Sequence, residues 1–116
     1  MKLALALMLA LAAPVMADHS GKPYKPASAV IVPPAKFNNQ MGARYKGTFK
    51  RILTTHAEVQ RLCKIPNALA CAKFPKGRPA IGPAPACTVI MPNNLPADLY
   101  EAVNTHEVGH CMGFRH

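Results

Sequence analysis

The chain has 116 residues, enough for one domain, and carries 14 Lys/Arg against 5 Asp/Glu for a formal charge of +9. Beyond its first residues no stretch is long and apolar enough to cross a bilayer, so the composition excludes a membrane-spanning domain. The cations are scattered and lack interleaved aromatics, which argues against a nucleic-acid groove.

The opening "MKLALALMLALAAPVMADHS" reads as a signal peptide over 1–17. Lys2 supplies the positive start, and Leu3–Ala13 is an apolar core too short to span a membrane. Val15 and Ala17 occupy the positions a signal peptidase reads, which places cleavage after Ala17. The mature chain, from Asp18, is then exported to a periplasm or secreted, with no transmembrane segment. Export implies an oxidising compartment. The four cysteines Cys63, Cys71, Cys87 and Cys111 therefore read as two disulfides, with three connectivities open. No C-x2-C pair is present to suggest a cysteine metal site.

Residues 18–47 read as a basic N-terminal arm. Within it Ala29–Val32 ("AVIV") suits an edge strand, ended by Pro33-Pro34. Residues 38–47 ("NNQMGARYKG") are turn chemistry. From Lys22 to Arg78 there are twelve Lys/Arg and one acid, Glu58. A solvated surface is the simpler account of that charge. An anionic envelope polymer or a lipid surface is the partner such a face would suit.

Residues 48–116 read as the folded domain. Thr48–Leu53 alternates as a strand, and Thr55 with Glu58 three residues later forms a capping box for a short helix. Val59, Leu62 and Cys63 mark its buried side, and Pro66 bounds it. Seven prolines between Pro66 and Pro96 predict mostly loop, most irregular between Cys71 and Cys87. Cys87–Pro92 ("CTVIMP") reads as a short strand. The main helix then starts near Pro96, with Asp98 at its positive end and Gly113 as its stop. The order strand, strand, helix, loop, strand, helix is an α+β fold: a small disulfide-stapled domain with a short sheet.

The stretch "THEVGHCMGFRH" carries the chemistry. His106 and His110 are four apart and share a helical face, so both imidazoles can reach one Zn²⁺. Glu107 stands beside the metal position, where a carboxylate can take the proton of a zinc-activated water and pass it to a leaving amine. Gly113 can turn the chain back so that His116 arrives as the third ligand. Three protein ligands leave one coordination position open, as in a catalytic zinc site. H-E-x-x-H by itself recurs by chance, whereas the full H-E-x-x-H-x-x-G-x-x-H is far more specific.

"HEVGHCMGFRH" resembles the zinc signature of the metzincin metallopeptidases, in the matrixin-like form with Gly109 between the histidines. The match is confined to the last 12 residues. The resemblance implies His106, His110 and His116 as zinc ligands, Glu107 as general base and Gly113 as the turn. It also implies a fold like the upper half of a metzincin domain, with a peptide or protein substrate. Cys87–Pro92 is similar in placement to the edge strand along which metzincins hold an extended substrate. Cys111 points about 100° around the helix from His110, which favours a disulfide over ligation. Of the open connectivities, Cys87–Cys111 is preferred because it clamps strand to helix, leaving Cys63–Cys71. Tyr100 reads as packing and His56 as a surface or capping residue.

The expectation is an exported zinc metallopeptidase holding one Zn²⁺ ion. The alternatives are a non-catalytic zinc-binding module on an anionic envelope partner and a fragment of a longer metzincin. The family continues past its third histidine into a lower subdomain with a methionine turn, and Met91 and Met112 do not occupy that place.

Overall fold

The computed structural model describes residues 24–37, 45–77, 79 and 81–116. The expected leader over 1–17, the expected cleavage site and residues 38–44 of the expected turn lie outside the described residues. Five regular elements follow one another: β1 (Thr48–Thr54), α1 (His56–Cys63), β2 (Cys71–Lys73), β3 (Ala86–Pro92) and α2 (Ala97–Cys111). The sheet order is β1-β3-β2, with β1 parallel and β2 antiparallel to β3. Two helices on a mixed three-stranded sheet make the fold α+β, and no helix of the described residues is long and apolar enough to cross a membrane.

β3 is the centre of the molecule. It is bonded along both edges, and its Cys87, Val89, Ile90 and Met91 are all buried. A strand covered on both faces reads as a mostly apolar run, which is why "CTVIM" sits here. Alternation sends Cys87, Val89 and Met91 into one core with Leu99, Val103, Val108 and Cys111 of α2. Ile90 points the other way, into a second core with Val59 and Cys63 of α1. The helices therefore cover opposite faces of one sheet. Each face has its own disulfide: Cys87–Cys111 ties β3 to α2, and Cys63–Cys71 ties α1 to β2. This is the pairing preferred from the sequence, and it points to an oxidising compartment.

α1 begins as its sequence dictates. The Thr55 hydroxyl accepts from the Glu58 amide at 3.2 Å. The return half of the capping box is replaced, because both Glu58 carboxylate oxygens accept from Arg61, at 2.8 and 2.7 Å. Lys64, in the left-handed region at φ 57°, ends the helix two residues before Pro66. α2 is entered through Pro96 one residue earlier than the first helical turn, and Asp98 accepts from the Leu99 amide at 2.8 Å. Arg51 of β1 donates twice to Asn104 of α2, at 3.1 and 2.8 Å, and so braces the helix from the far strand.

Two expectations are corrected. Ala29–Val32 is not an edge strand: Ala27–Ala29 forms a 3-10 turn, and the chain onward to Pro33 packs across α2 with Val30 in the core. The turn forms because Ala29 and Val30 amides bond back to Pro26 and Ala27, which satisfies the backbone locally and leaves no ladder to join. Cys71–Lys73, expected as loop, is a strand. Its disulfide to α1 and its pairing with β3 overcome the surrounding prolines.

Removing Cys87–Cys111 by paired alanine substitution is expected to cost about 3 kcal/mol, and removing Cys63–Cys71 less, because it closes a shorter loop. Urea-denaturation midpoints of the two variants check the order.

Candidate metal centre

The last turn of α2 is buried on several sides, with Glu107, Val108, Gly109 and Cys111 all inaccessible or nearly so. The helix then ends in a Schellman motif. The Phe114 amide bonds to the Gly109 carbonyl at 3.0 Å and the Gly113 amide to the His110 carbonyl at 3.1 Å. Gly113 adopts φ +106°, and a Cβ there would lie 2.9 Å from the Gly82 carbonyl oxygen. Both the backbone angle and the close approach call for glycine. The turn folds Phe114 back against the helix, where its ring stacks on His110 at 5.3 Å and meets His106 edge-on at 5.6 Å. His116 follows and comes to the same point.

His106, His110 and His116 converge with one ring nitrogen each, all within 4.8 Å of one another. His106 Nε2 lies 3.2 Å from His110 Nε2 and 3.2 Å from His116 Nε2. Two backbone carbonyls set the ring orientations. His106 Nδ1 donates to the Ile31 carbonyl at 2.8 Å, and His110 Nδ1 donates to the Phe114 carbonyl at 2.7 Å. A carbonyl can only accept, so each Nδ1 carries the hydrogen and each neutral ring turns a lone pair inward. Two facing lone pairs at 3.2 Å call for a cation between them. The separation also fits tetrahedral ligands at zinc-to-nitrogen distances, which stand about 3.3 Å apart. The three histidines could therefore hold a metal ion, and imidazole donors suit zinc, copper, nickel or iron. Burial lowers the His106 pKa, opposed by its bond to Ile31 and reinforced by the charges of His116 and Lys25.

Glu107 is 7% exposed, and among the described residues it is the one buried charged or polar residue. Burial pushes its carboxyl up to about 7, while the positive charge of Lys25 pulls it down. Glu107 lines the same cleft as the three histidines, a space of about 490 Å³ bounded by α2, the 24–33 segment and the chain from Ile65 to Ala72. The cleft wall on the sheet side is β2, through Cys71 and Ala72. Cys87–Pro92, expected as the substrate edge, is instead the central strand with both edges taken, because its apolar run is needed on both faces. Tyr100 packs half-buried against the core, and His56 stands at the start of α1 against Tyr24.

Sequence reasoning missed the residues that fix the histidines. Ile31 and Phe114 act through backbone carbonyls, which have no side-chain signature. Gly109 did leave a signal, since a glycine inside a helix costs about 1 kcal/mol relative to alanine. Its reason is contact: a Cβ at 109 would lie 2.8 Å from Pro33 Cγ. The 24–33 segment can lie this close, and reach His106, only where α2 has no side chain.

No protein-family model, curated protein or solved structure matches this chain significantly.

Gly109→Ala is expected to push Pro33 off the helix and draw the Ile31 carbonyl from His106, weakening metal binding about 10- to 100-fold. Cobalt titration followed by its visible absorption reads this directly. Adding Pro33→Gly should recover much of the affinity. Unchanged cobalt affinity in Gly109→Ala would contradict the role given to this contact.

Proposed function

We propose that this protein is an exported zinc metallopeptidase of metzincin type, in which His106, His110 and His116 hold one Zn²⁺ and Glu107 is the general base. The observation that carries this is the convergence of three imidazole nitrogens beside a buried carboxylate on one open cleft. A structural site would close its fourth position and would have no use for that carboxylate. Bound there, zinc would polarise a scissile carbonyl and make a water nucleophilic at neutral pH. Glu107, shielded from bulk solvent, takes the proton of the attacking water and returns it to the leaving amine. The carbonyl-anchored rings of His106 and His110 need no reorientation when metal or substrate enters.

An extended peptide would lie along the outer edge of β2, which is bonded on one side only, to β3. Its main chain would gain strand hydrogen bonds there. A second reading, a non-catalytic zinc module on an anionic envelope polymer or lipid surface, draws on the exposed cations Lys46, Lys50, Lys64 and Lys76. These make no ion pair, because the one salt bridge among the described residues is Arg61–Glu58.

Glu107→Gln should retain one zinc per chain by metal analysis and lose about 10²–10⁴-fold in hydrolysis of a broad peptide mixture. Equal hydrolysis by the two proteins would rule out the mechanism. Zinc retained without any hydrolysis, with salt-sensitive binding to anionic polymer, would favour the second reading. His116→Ala should lose most of the zinc affinity while keeping the fold, since His116 is exposed and its ring contacts are confined to the cluster and Phe114.

A further inference from the structure

The cleft beside the histidines is apolar on most of its surface, with Val30, Ile31, Ile65, Leu69 and Val103 among its walls. Ile31 and Ile65, from separate segments, remain 52% and 54% exposed. Isoleucines so exposed at a cleft are available to grip an aliphatic group. Among the lining residues there is one Lys or Arg, Lys25.

The backbone of Lys25 is held from both sides. Tyr24 before it donates to Asn94 Oδ1 at 2.9 Å and lays its ring 5.1 Å from that of His56. Pro26 after it has φ −67° and accepts from the Ala29 amide at 2.9 Å. The Lys25 side chain is exposed and lines the cleft together with His106, Glu107, His110 and His116. Yet Lys25 makes no ion pair among the described residues. Glu107, the acid of the cleft, is buried and forms no hydrogen bond or ion pair with it. A cation at an apolar cleft that is not ion-paired to a protein carboxylate raises the local concentration of anionic ligands.

We propose that Lys25 is the carboxylate-recognising residue of this cleft, selecting peptides that present a carboxylate close to an aliphatic side chain held by Ile31 and Ile65. The choice of a peptide as ligand rests on the metallopeptidase reading above. The carboxylate has two sources, an acidic side chain or a free C-terminus, and Lys25 serves either by the same charge-assisted hydrogen bond. The exposed side chain leaves it free to do so without disturbing the core.

The test is binding, read by calorimetry on zinc-loaded Glu107→Gln protein so that turnover does not intrude. Two peptide pairs serve as probes. Ac-Ala-Leu-Ala-Glu-Ala-amide is compared with its Gln counterpart, and Ac-Ala-Leu-Ala with a free carboxylate is compared with its amide. At least one carboxylate member should bind about tenfold more tightly than its neutral partner, and the pair that responds identifies the source. Lys25→Glu, with an unchanged melting temperature, should abolish that preference and favour a probe with Lys in place of Glu. Equal affinities within both pairs, or no binding of any probe, would overturn the proposal. So would a preference that survives Lys25→Glu, because the metal would then be holding the carboxylate. Hydrolysis of the same probes by the wild-type protein separates the two ideas. A Lys25-dependent preference without hydrolysis keeps this assignment and sinks the peptidase reading, whereas hydrolysis without preference does the reverse.

Discussion

Everything at the site depends on the docking of α2 onto the central strand. Cys87, Val89 and Met91 present one apolar face of β3, and Leu99, Val103, Val108 and Cys111 meet it from the helix. Burial of side chains of this size stabilises by roughly 1.5–3 kcal/mol each, and the Cys87–Cys111 crosslink fixes the register of the two elements. With that face committed to the core, helical geometry leaves His106 and His110 on an adjoining face toward the cleft. Glu107 lies between the core face and the histidines, which explains a carboxylate that is both buried and part of the cleft.

The docked helix is then enclosed from its other sides. The Schellman turn at Gly113 brings the Phe114 carbonyl to His110. The 24–33 segment crosses at Gly109 and brings the Ile31 carbonyl to His106. Gly109 and Gly113 stand three and seven residues after His106, the first inside the helix and the second just beyond its end. Each marks a place where another segment approaches too closely for a Cβ: the Pro33 ring at Gly109 and the Gly82 backbone at Gly113. The rings are thereby held in one tautomer with lone pairs facing each other, an arrangement that becomes favourable once a cation lies between them.

The two-faced burial of β3 has a further consequence. Because the central strand uses both edges and both faces for the fold, it has nothing left to offer a ligand. A free edge is left instead at β2, three residues long and held to α1 by Cys63–Cys71. The fold thus separates stability, carried by β3, from access, provided by the cleft between β2, α2 and the 24–33 segment.

The local features were legible in the residues themselves. The capping threonine, the strand from Thr48, the apolar run of β3, the helix through the histidines and the glycine turn each follow from short-range patterns with a physical cause. The spacing of His106, His110 and His116 likewise implied one shared centre, because helix periodicity and a reversing turn act over a few residues. Ala29–Val32 misled because a β-rich composition cannot show whether a pairing partner is in reach, and Pro26 to Val30 closed its hydrogen bonds locally. β2 was hidden for the opposite reason, since a three-residue strand exists only through its partner and its crosslink. What tertiary structure alone decided is which distant segment meets the helix: the Pro33 ring on Gly109, the Ile31 carbonyl on His106 and Lys25 at the cleft. Carbonyls and close approaches carry no side-chain pattern, so the sequence determined which histidines converge while packing determined how they are held and what they face.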